Sequence, residues 1–223
     1  MRITLIRHGQ PRWIEDGQPT NDPVLTALGR AQADALATRT AEWTIDELLV
    51  SPLRRCRETA APIEATTGLR ATVAPWLEEI RGPEWTDIPA EQIPSYFERA
   101  RARHPDDWWD GLPGGESFRD FHARITTGLD DYLARRSIMR DAHRLFERFD
   151  DDARIVMVAH GGTNAVVIGA LLGLEAVPWE WERFPLLHAS VSILETTDIA
   201  GATTFQLTRL NHMVHLGRGD QTK

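Results

Sequence analysis

The sequence predicts an α/β protein, a three-layer α/β/α sandwich with a mainly parallel sheet, on three observations. Short apolar runs alternate with segments of helical length along most of the 223 residues, the pattern that lays helices over both faces of a parallel sheet. Two of those runs, Ile3 to Ile6 and Val156 to Ala159, lead into the His-Gly pairs His8-Gly9 and His160-Gly161. A third, Leu48 to Val50, leads into the arginine-rich turn Ser51-Pro52-Leu53-Arg54-Arg55-Cys56-Arg57. Open α/β sheets hold their chemistry beyond the C-terminal ends of their strands, so two histidines and an arginine cluster are expected on one edge.

Taken in order, strands are predicted near residues 2 to 7, 47 to 51, 70 to 74, 155 to 159, 190 to 195 and 203 to 209. The first helix follows Thr26, a suitable N-cap, and its spacing puts Leu28, Ala31, Ala35 and Leu36 on one face. A second runs from Pro52 to Thr67 and stops at Gly68. Residues 81 to 149 depart from the alternation. They begin with Gly82-Pro83-Glu84-Trp85, continue with a helical segment from Ile93 to His104, and read as a loop from Asp106 to Gly115. From Ser117 to Phe149 the spacing of Phe118, Phe121, Ile125, Leu129, Tyr132 and Leu133 predicts a helix broken near Ser137. No flexible linker flanks this insertion, so it is read as a helical cap over the site, inside one domain spanning 1 to 223.

Composition points to an ordinary soluble enzyme with a sizeable core. The net charge of −8 argues against a nucleic-acid partner, which calls for a basic face, and makes the arginine cluster a local anion site. The single cysteine, Cys56, excludes an intrachain disulfide and a multi-cysteine metal site; it is read as a packing residue, and the chain as cytoplasmic. Arg7 and His8 cut the first apolar run short, so no signal peptide is expected. Ile155 to Val177 is long enough for a membrane span and carries only Glu175 as a charge, but His160, Gly161, Gly162 and Asn164 fit a strand, turn and helix instead.

Four motifs occur in sequence: Arg7-His8-Gly9, Ser51 to Ala60, Leu77-Glu78-Glu79 and His160-Gly161-Gly162. Between them lie Leu25-Thr26-Ala27-Leu28-Gly29-Arg30-Ala31-Gln32-Ala33 and Pro113-Gly114-Gly115-Glu116-Ser117. In these motifs and their order the chain resembles the histidine phosphatase superfamily, also called the phosphoglycerate mutase-like proteins. The resemblance implies the same sandwich with an antiparallel edge strand, and a metal-independent phosphatase that needs no cofactor. It implies His8 as the nucleophile that becomes a phosphohistidine, with Arg7 and Arg55 gripping the phosphoryl oxygens and His160 donating to them. It also implies Glu79, rather than Glu78, as the proton donor to the leaving oxygen. Gly9, Gln10 and Gly161 join Arg7, Arg55 and His160 as expected substrate contacts.

These roles agree with the chemistry of the residue types. Neutral imidazole is a good nucleophile near pH 7. Phosphoryl transfer asks chiefly for positioning and charge stabilisation, which guanidinium groups supply in a bidentate way. A departing alkoxide needs a proton from a carboxyl group. A zinc site on His8 and His160 is disfavoured, because the arginines repel a cation.

Alternatives accompany each assignment. Arg54 and Arg57 flank Arg55 and compete with it, the latter standing at the motif position before Cys56. Gly82 lies closer to Glu79 than the family spacing implies. His104, His122, His143, His212 and His215 are read as surface or packing residues, whereas His188 precedes a strand and is a candidate for the pocket. Trp76, Trp85, Trp108, Trp109, Trp179 and Trp181 are read as core and cap packing. The family's mutases place a hydroxyl residue and an asparagine where this chain has Pro11 and Ile14, so a phosphate contact of the mutases is missing or supplied elsewhere. The chain also has no counterpart of their extended segment after the L-x-E element, which favours a phosphatase. The alternatives are a cofactor-dependent phosphoglycerate mutase and a non-catalytic binder of phosphorylated ligands. The expected partner is a small phosphorylated substrate, with a homodimer left open and neither nucleic acid nor membrane involved. Sugar phosphates, nucleotides, phosphoglycerate derivatives and phosphoproteins all stay open as substrates, as does the part of Arg99, Arg101 and Arg103 in choosing among them.

Overall fold

β1 (Arg2–Arg7) is apolar on both faces: Ile3 and Leu5 join one buried cluster and Ile6 another. A strand of this kind needs cover on both sides. A computed structural model of the chain describes residues 1–15, 18–84, 93–141 and 143–223, the side chains at 93, 94, 96 and 97 excepted. It supplies that cover in a three-layer α/β/α sandwich. In spatial order the six-stranded sheet holds β5 (Thr72–Val73), β4 (Glu47–Val50), β6 (Arg154–Ala159), β1, β7 (Val191–Ile199) and β8 (Ala202–His212). The first four strands run parallel, β7 runs antiparallel to β1, and β8 antiparallel to β7.

One face packs on α1 (Ala27–Thr40) and α2 (Arg54–Thr67) through Leu36, Ala37, Cys56, Ala60 and Ile63. The other packs on α4 (Phe118–Ala134) and α5 (Gly161–Leu171) through Phe121, Ile125, Leu129, Val167 and Ile168. α3 (Ile93–Arg101), a 3₁₀ turn at Pro105–Asp110 and the short α6 (Glu180–Arg183) lie together. An Arg101–Glu182 ion pair at 2.8 Å and an edge-on Trp108–Trp179 contact join them. Ile155 to Val177 contains β6 and α5, and among the described residues no helix is long and apolar enough to cross a membrane.

Several expectations need correction. The segment 81–149 is not a cap throughout, since α4 within it forms part of the sandwich and its Phe118, Phe121, Ile125, Leu129 and Leu133 are in the main core. The helix expected to reach Phe149 ends at Ala134, and Ser137, at φ 61°, turns the chain out of helical space. The expected loop from Asp106 contains the 3₁₀ turn, and the hairpin of β2 (Ile14–Glu15) and β3 (Gln18–Pro19) carried no alternation long enough to read. The buried face of α1 is Gly29, Gln32, Ala33, Leu36 and Ala37, while Ala31 is exposed. Apolar counting missed it because a glycine and a buried polar residue occupy that face. Trp85 lies outside the described residues.

Register places the site. In the parallel pair of β1 and β6, Arg7 lies opposite Ala159, so His8 and His160 leave adjacent strands side by side. Val50 lies opposite Val158, which brings the Ser51 turn to the same edge. The N-terminus of α1 closes behind: a Cβ on Gly29 would lie 2.2 Å from the Gln10 carbonyl oxygen, so only glycine admits this approach.

Candidate active site

His8 is fixed at every polar point but one. Its N–H donates to the Ala159 carbonyl at 2.9 Å and its carbonyl accepts from the Ala189 N–H at 3.0 Å. Ring Nδ1 lies 2.7 Å from the Gly9 carbonyl oxygen. A carbonyl only accepts, so Nδ1 carries the proton and Nε2 keeps a lone pair. Burial, and then the cations of Arg55 and Arg7, hold the imidazole well below the ordinary histidine pKa. The ring is therefore neutral at neutral pH.

Both expected arginines stand beside it. Arg7 donates to the Leu186 carbonyl and, at 3.1 Å, to His188 Nε2. Arg55 is only 3% exposed; its Nη1 lies 3.4 Å from the Asn21 carbonyl and 3.9 Å from Asp22, and its guanidinium faces the Trp13 ring at 5.3 Å. The Nε atoms of both are buried with no hydrogen-bond partner among the described residues. Buried donors left unpaired are costly, the more so on a charged group, and an anion is the group that pairs them. Arg54 and Arg57 are exposed, so of the three arginines only Arg55 faces the histidines' interior edge.

His160 is the N-cap residue of α5 and is fully buried. Its ring centroid is 5.2 Å from that of His8, edge-on. Ser51 Oγ lies 2.7 Å from Nε2, and Cys56 Sγ lies 3.4 Å from the same atom while donating to the Ala159 carbonyl. When Ser51 donates to Nε2, the ring carries its proton on Nδ1 as a donor. Burial first, then Arg55, His8 and Arg7, keep this imidazole neutral too. Burial raises the Cys56 pKa, so it stays a thiol and packs, as expected.

His188 completes a group of three histidines, its ring centroid 5.5 Å from that of His8. Because Nε2 accepts from Arg7, Nδ1 carries the proton and donates to Thr222 Oγ1 at 2.9 Å. Burial, with Arg7, pushes its pKa down to about 3. It acts here as a brace for Arg7.

Glu79 sits against the first turn of α5. Its Oε2 accepts from the Gly162 N–H at 2.9 Å, and Oε1 accepts from the Ile80 N–H at 3.0 Å and from Thr163 Oγ1 at 3.4 Å. A Cβ on Gly162 would lie 2.6 Å from Oε1. The second glycine of His160-Gly161-Gly162 is thus the space the carboxylate occupies. Glu78 is engaged by Arg81 at 2.7 Å instead.

Gly9 and Gln10 spend their backbone donors elsewhere: the Gly9 N–H donates to Thr59 Oγ1 at 3.0 Å and the Gln10 N–H to Gln32 Oε1 at 2.8 Å. Gln10 Oε1 accepts from Thr26 at 2.8 Å, leaving its amide nitrogen for any substrate contact. A Cβ on Gly161 would meet Arg7 Nε at 3.6 Å, an ordinary contact. Residues with no role in the sequence reading also enter the site. Ser51 and Thr59 lay inside a recognised motif without a function attached. Gln32, the partner of the Gln10 N–H, likewise lay in the Leu25 to Ala33 motif, while Trp13 and Thr222 carried no local signal, because their partners Arg55 and His188 are remote in sequence.

The chain is similar to known proteins both in sequence and in fold. The chain is 27% identical over 195 residues to a probable phosphoglycerate mutase, GpmB, of Escherichia fergusonii, covering 86% of this chain and 83% of that protein. Its fold is similar to the mycobacterial glucosyl-3-phosphoglycerate phosphatase in complex with inorganic phosphate, with TM-score 0.71 and 28% identity, covering 97% of this chain and 99% of that one. It is also similar in fold to the α-ribazole phosphatase of Shigella flexneri, with TM-score 0.68 and 24% identity over 95% of this chain and 96% of that one. Residues 3–211 match the family defined by such proteins, and the chain belongs to the histidine phosphatase superfamily, branch 1.

Proposed function

We propose that the chain is a metal-independent phosphatase that hydrolyses a small phosphomonoester through a phosphohistidine on His8. The observation that carries this reading is the His8 tautomer: a buried, neutral ring whose Nδ1–H is held by the Gly9 carbonyl and whose Nε2 lone pair has no partner among the described residues. Nε2 attacks phosphorus, the ester P–O bond breaks, and the leaving oxygen takes a proton from Glu79. Arg7, Arg55 and His160 stabilise charge on the phosphoryl oxygens as it develops. The Gly9 carbonyl stabilises the imidazolium formed at His8. Glu79, now a carboxylate, takes a proton from water as its oxygen attacks phosphorus; the N–P bond breaks, phosphate leaves, and both groups return to their starting states.

A mutase reading is favoured by the similarity to the probable mutase GpmB. Against it stand Pro11 and Ile14, of which Pro11 has no N–H and neither has a polar side chain. The experiment that separates the two follows the fate of the phosphoenzyme. Enzyme labelled by a phosphoryl donor is chased in the presence and absence of 3-phosphoglycerate. We expect inorganic phosphate in both cases, whereas transfer of the label to 3-phosphoglycerate would establish a mutase. Activity is also expected to survive exhaustive chelation, and a loss reversed by zinc or magnesium would contradict the mechanism. A panel including sugar phosphates and phosphoglycerate derivatives, chosen from what the similar phosphatases are named for, then ranks substrates by kcat/KM.

A further inference from the structure

The motif Pro113-Gly114-Gly115-Glu116-Ser117 has no part in the mechanism above, yet Glu116 leads directly to it. The Glu116 carboxylate takes two hydrogen bonds from the Arg124 guanidinium on α4, Nε to Oε1 at 3.0 Å and Nη2 to Oε2 at 2.8 Å. The remaining Arg124 donors reach the main chain that carries Glu79: Nη1 donates to the carbonyls of Trp76 at 3.2 Å and Glu78 at 3.0 Å, and Nη2 to that of Glu79 at 3.3 Å. Glu116 holds the far end of the same segment. Its Oε2 accepts from the Arg81 N–H at 3.1 Å and its own N–H donates to the Arg81 carbonyl at 2.8 Å. The pair is largely shielded from water, the side chains being 19% and 9% exposed.

The segment itself has little regular structure to hold it, a single 3₁₀ turn at Pro75–Leu77 followed by chain in neither helix nor strand. Its carbonyls at Trp76, Glu78 and Glu79 are aimed at one guanidinium, whose planar fork spans them together with a carboxylate. A lysine ammonium has neither the fork nor enough donors for this set.

We propose that Arg124, pre-oriented by Glu116, is a positioning residue that sets the Glu79 carboxyl at the leaving oxygen. The Glu79 side chain is anchored on α5 and its backbone on α4, and Arg124 supplies the second anchor. This rests on Glu79 being the general acid, and the test separates the two claims. Values of kcat/KM are measured for an alkyl phosphate, which needs the proton, and an aryl phosphate with an acidic leaving group, which needs it less. The variants are Glu79→Gln, Arg124→Ala, Arg124→Lys and the double variant Glu79→Gln with Arg124→Ala. The expected loss for Arg124→Ala is about 100-fold on the alkyl phosphate, the scale of a misplacement of about 1 Å, and less than about ten-fold on the aryl phosphate. In the double variant the alkyl loss should be no greater than in Glu79→Gln alone, because the two residues act through one proton.

Added guanidinium should restore part of the alkyl activity of Arg124→Ala and none of Glu79→Gln. If Glu79→Gln discriminates between the substrates while Arg124→Ala lowers both equally, or the two losses multiply, Arg124 is not a positioning residue and the acid assignment stands. If Glu79→Gln itself does not discriminate, the acid assignment fails and this proposal with it. Should Arg124→Ala not fold, Arg124→Lys, which keeps the stem and the charge, is expected to show the same leaving-group pattern with a smaller loss.

Discussion

At His8 the proposed chemistry turns on a single carbonyl. The Gly9 oxygen 2.7 Å from Nδ1 selects the tautomer, and burial among arginines removes the competing imidazolium. Glu79 is the other residue on which the account depends. If it protonates the leaving oxygen, Glu79→Gln slows hydrolysis of alkyl phosphates by about two to four orders of magnitude. For an aryl phosphate the phosphorylation of His8 should be less impaired, and loss of the base for water should make the phosphoenzyme accumulate. Steady-state rates with both substrates and a quenched phosphoenzyme assay check this. Equal, small losses would make Glu79 structural, and Glu78→Gln and Glu84→Gln would then be compared. His8, Arg55, Glu79 and His160 were legible because reactive side chains at strand ends and in known motifs stand out against an apolar background. The bracing of Arg7 by His188 and Thr222 was only half legible: His188 was a candidate from its place before a strand. Thr222 is joined to it solely by the folded chain.

Among the elements, glycines set how closely neighbours approach the site. Gly128 lies within α4, where alanine normally gains about 1 kcal/mol over glycine. Here a Cβ would fall 2.3 Å from the Trp76 side chain, at the start of the segment that carries Glu79. Gly128→Ala should therefore destabilise the fold, by about 1–3 kcal/mol if overpacking dominates, and should impair alkyl phosphate hydrolysis more than aryl. Denaturant unfolding and the two rates check this, and a stabilised variant of unchanged activity would refute the packing argument. Gly162→Ala should act on Glu79 directly, through the 2.6 Å contact with Oε1, with a larger effect on kcat than on stability. Strand and helix order was readable from the alternation of apolar runs. The face of α1 was not, since Gly29 is buried for a backbone approach and Gln32 to serve the Gln10 N–H and the tail carbonyl of Asp220. The break near Ser137 was marked correctly, three residues past the end of α4 at Ala134, but the chain beyond it leaves the helix for an isolated pairing of Phe146 with Thr203.

The whole molecule keeps neutral histidines, and arginine donors with no partner among the described residues, inside a chain of net charge −8. This arrangement has a stability signature. His8, His160 and His188 all have folded pKa values below their unfolded value of 6.5, His188 at about 3. The unfolded chain binds more protons in that interval, so stability is complete above about pH 6.5 and falls as the pH drops through it. Thermal unfolding followed from about pH 7 to about pH 5 should show this decline, and His188→Asn should make it shallower. An unchanged slope would mean that His188 is already protonated in the folded protein.

The phosphoryl group itself provides the most direct test of the account. Rapid quenching after mixing with an aryl phosphate is expected to show a burst of the aryl alcohol equal to the enzyme present. It should come with an acid-labile, base-stable phosphoryl group on Nε2 of His8, absent from His8→Ala. A label that survives in His8→Ala, or that lies on any other residue, would contradict the assignment of His8 as the nucleophile.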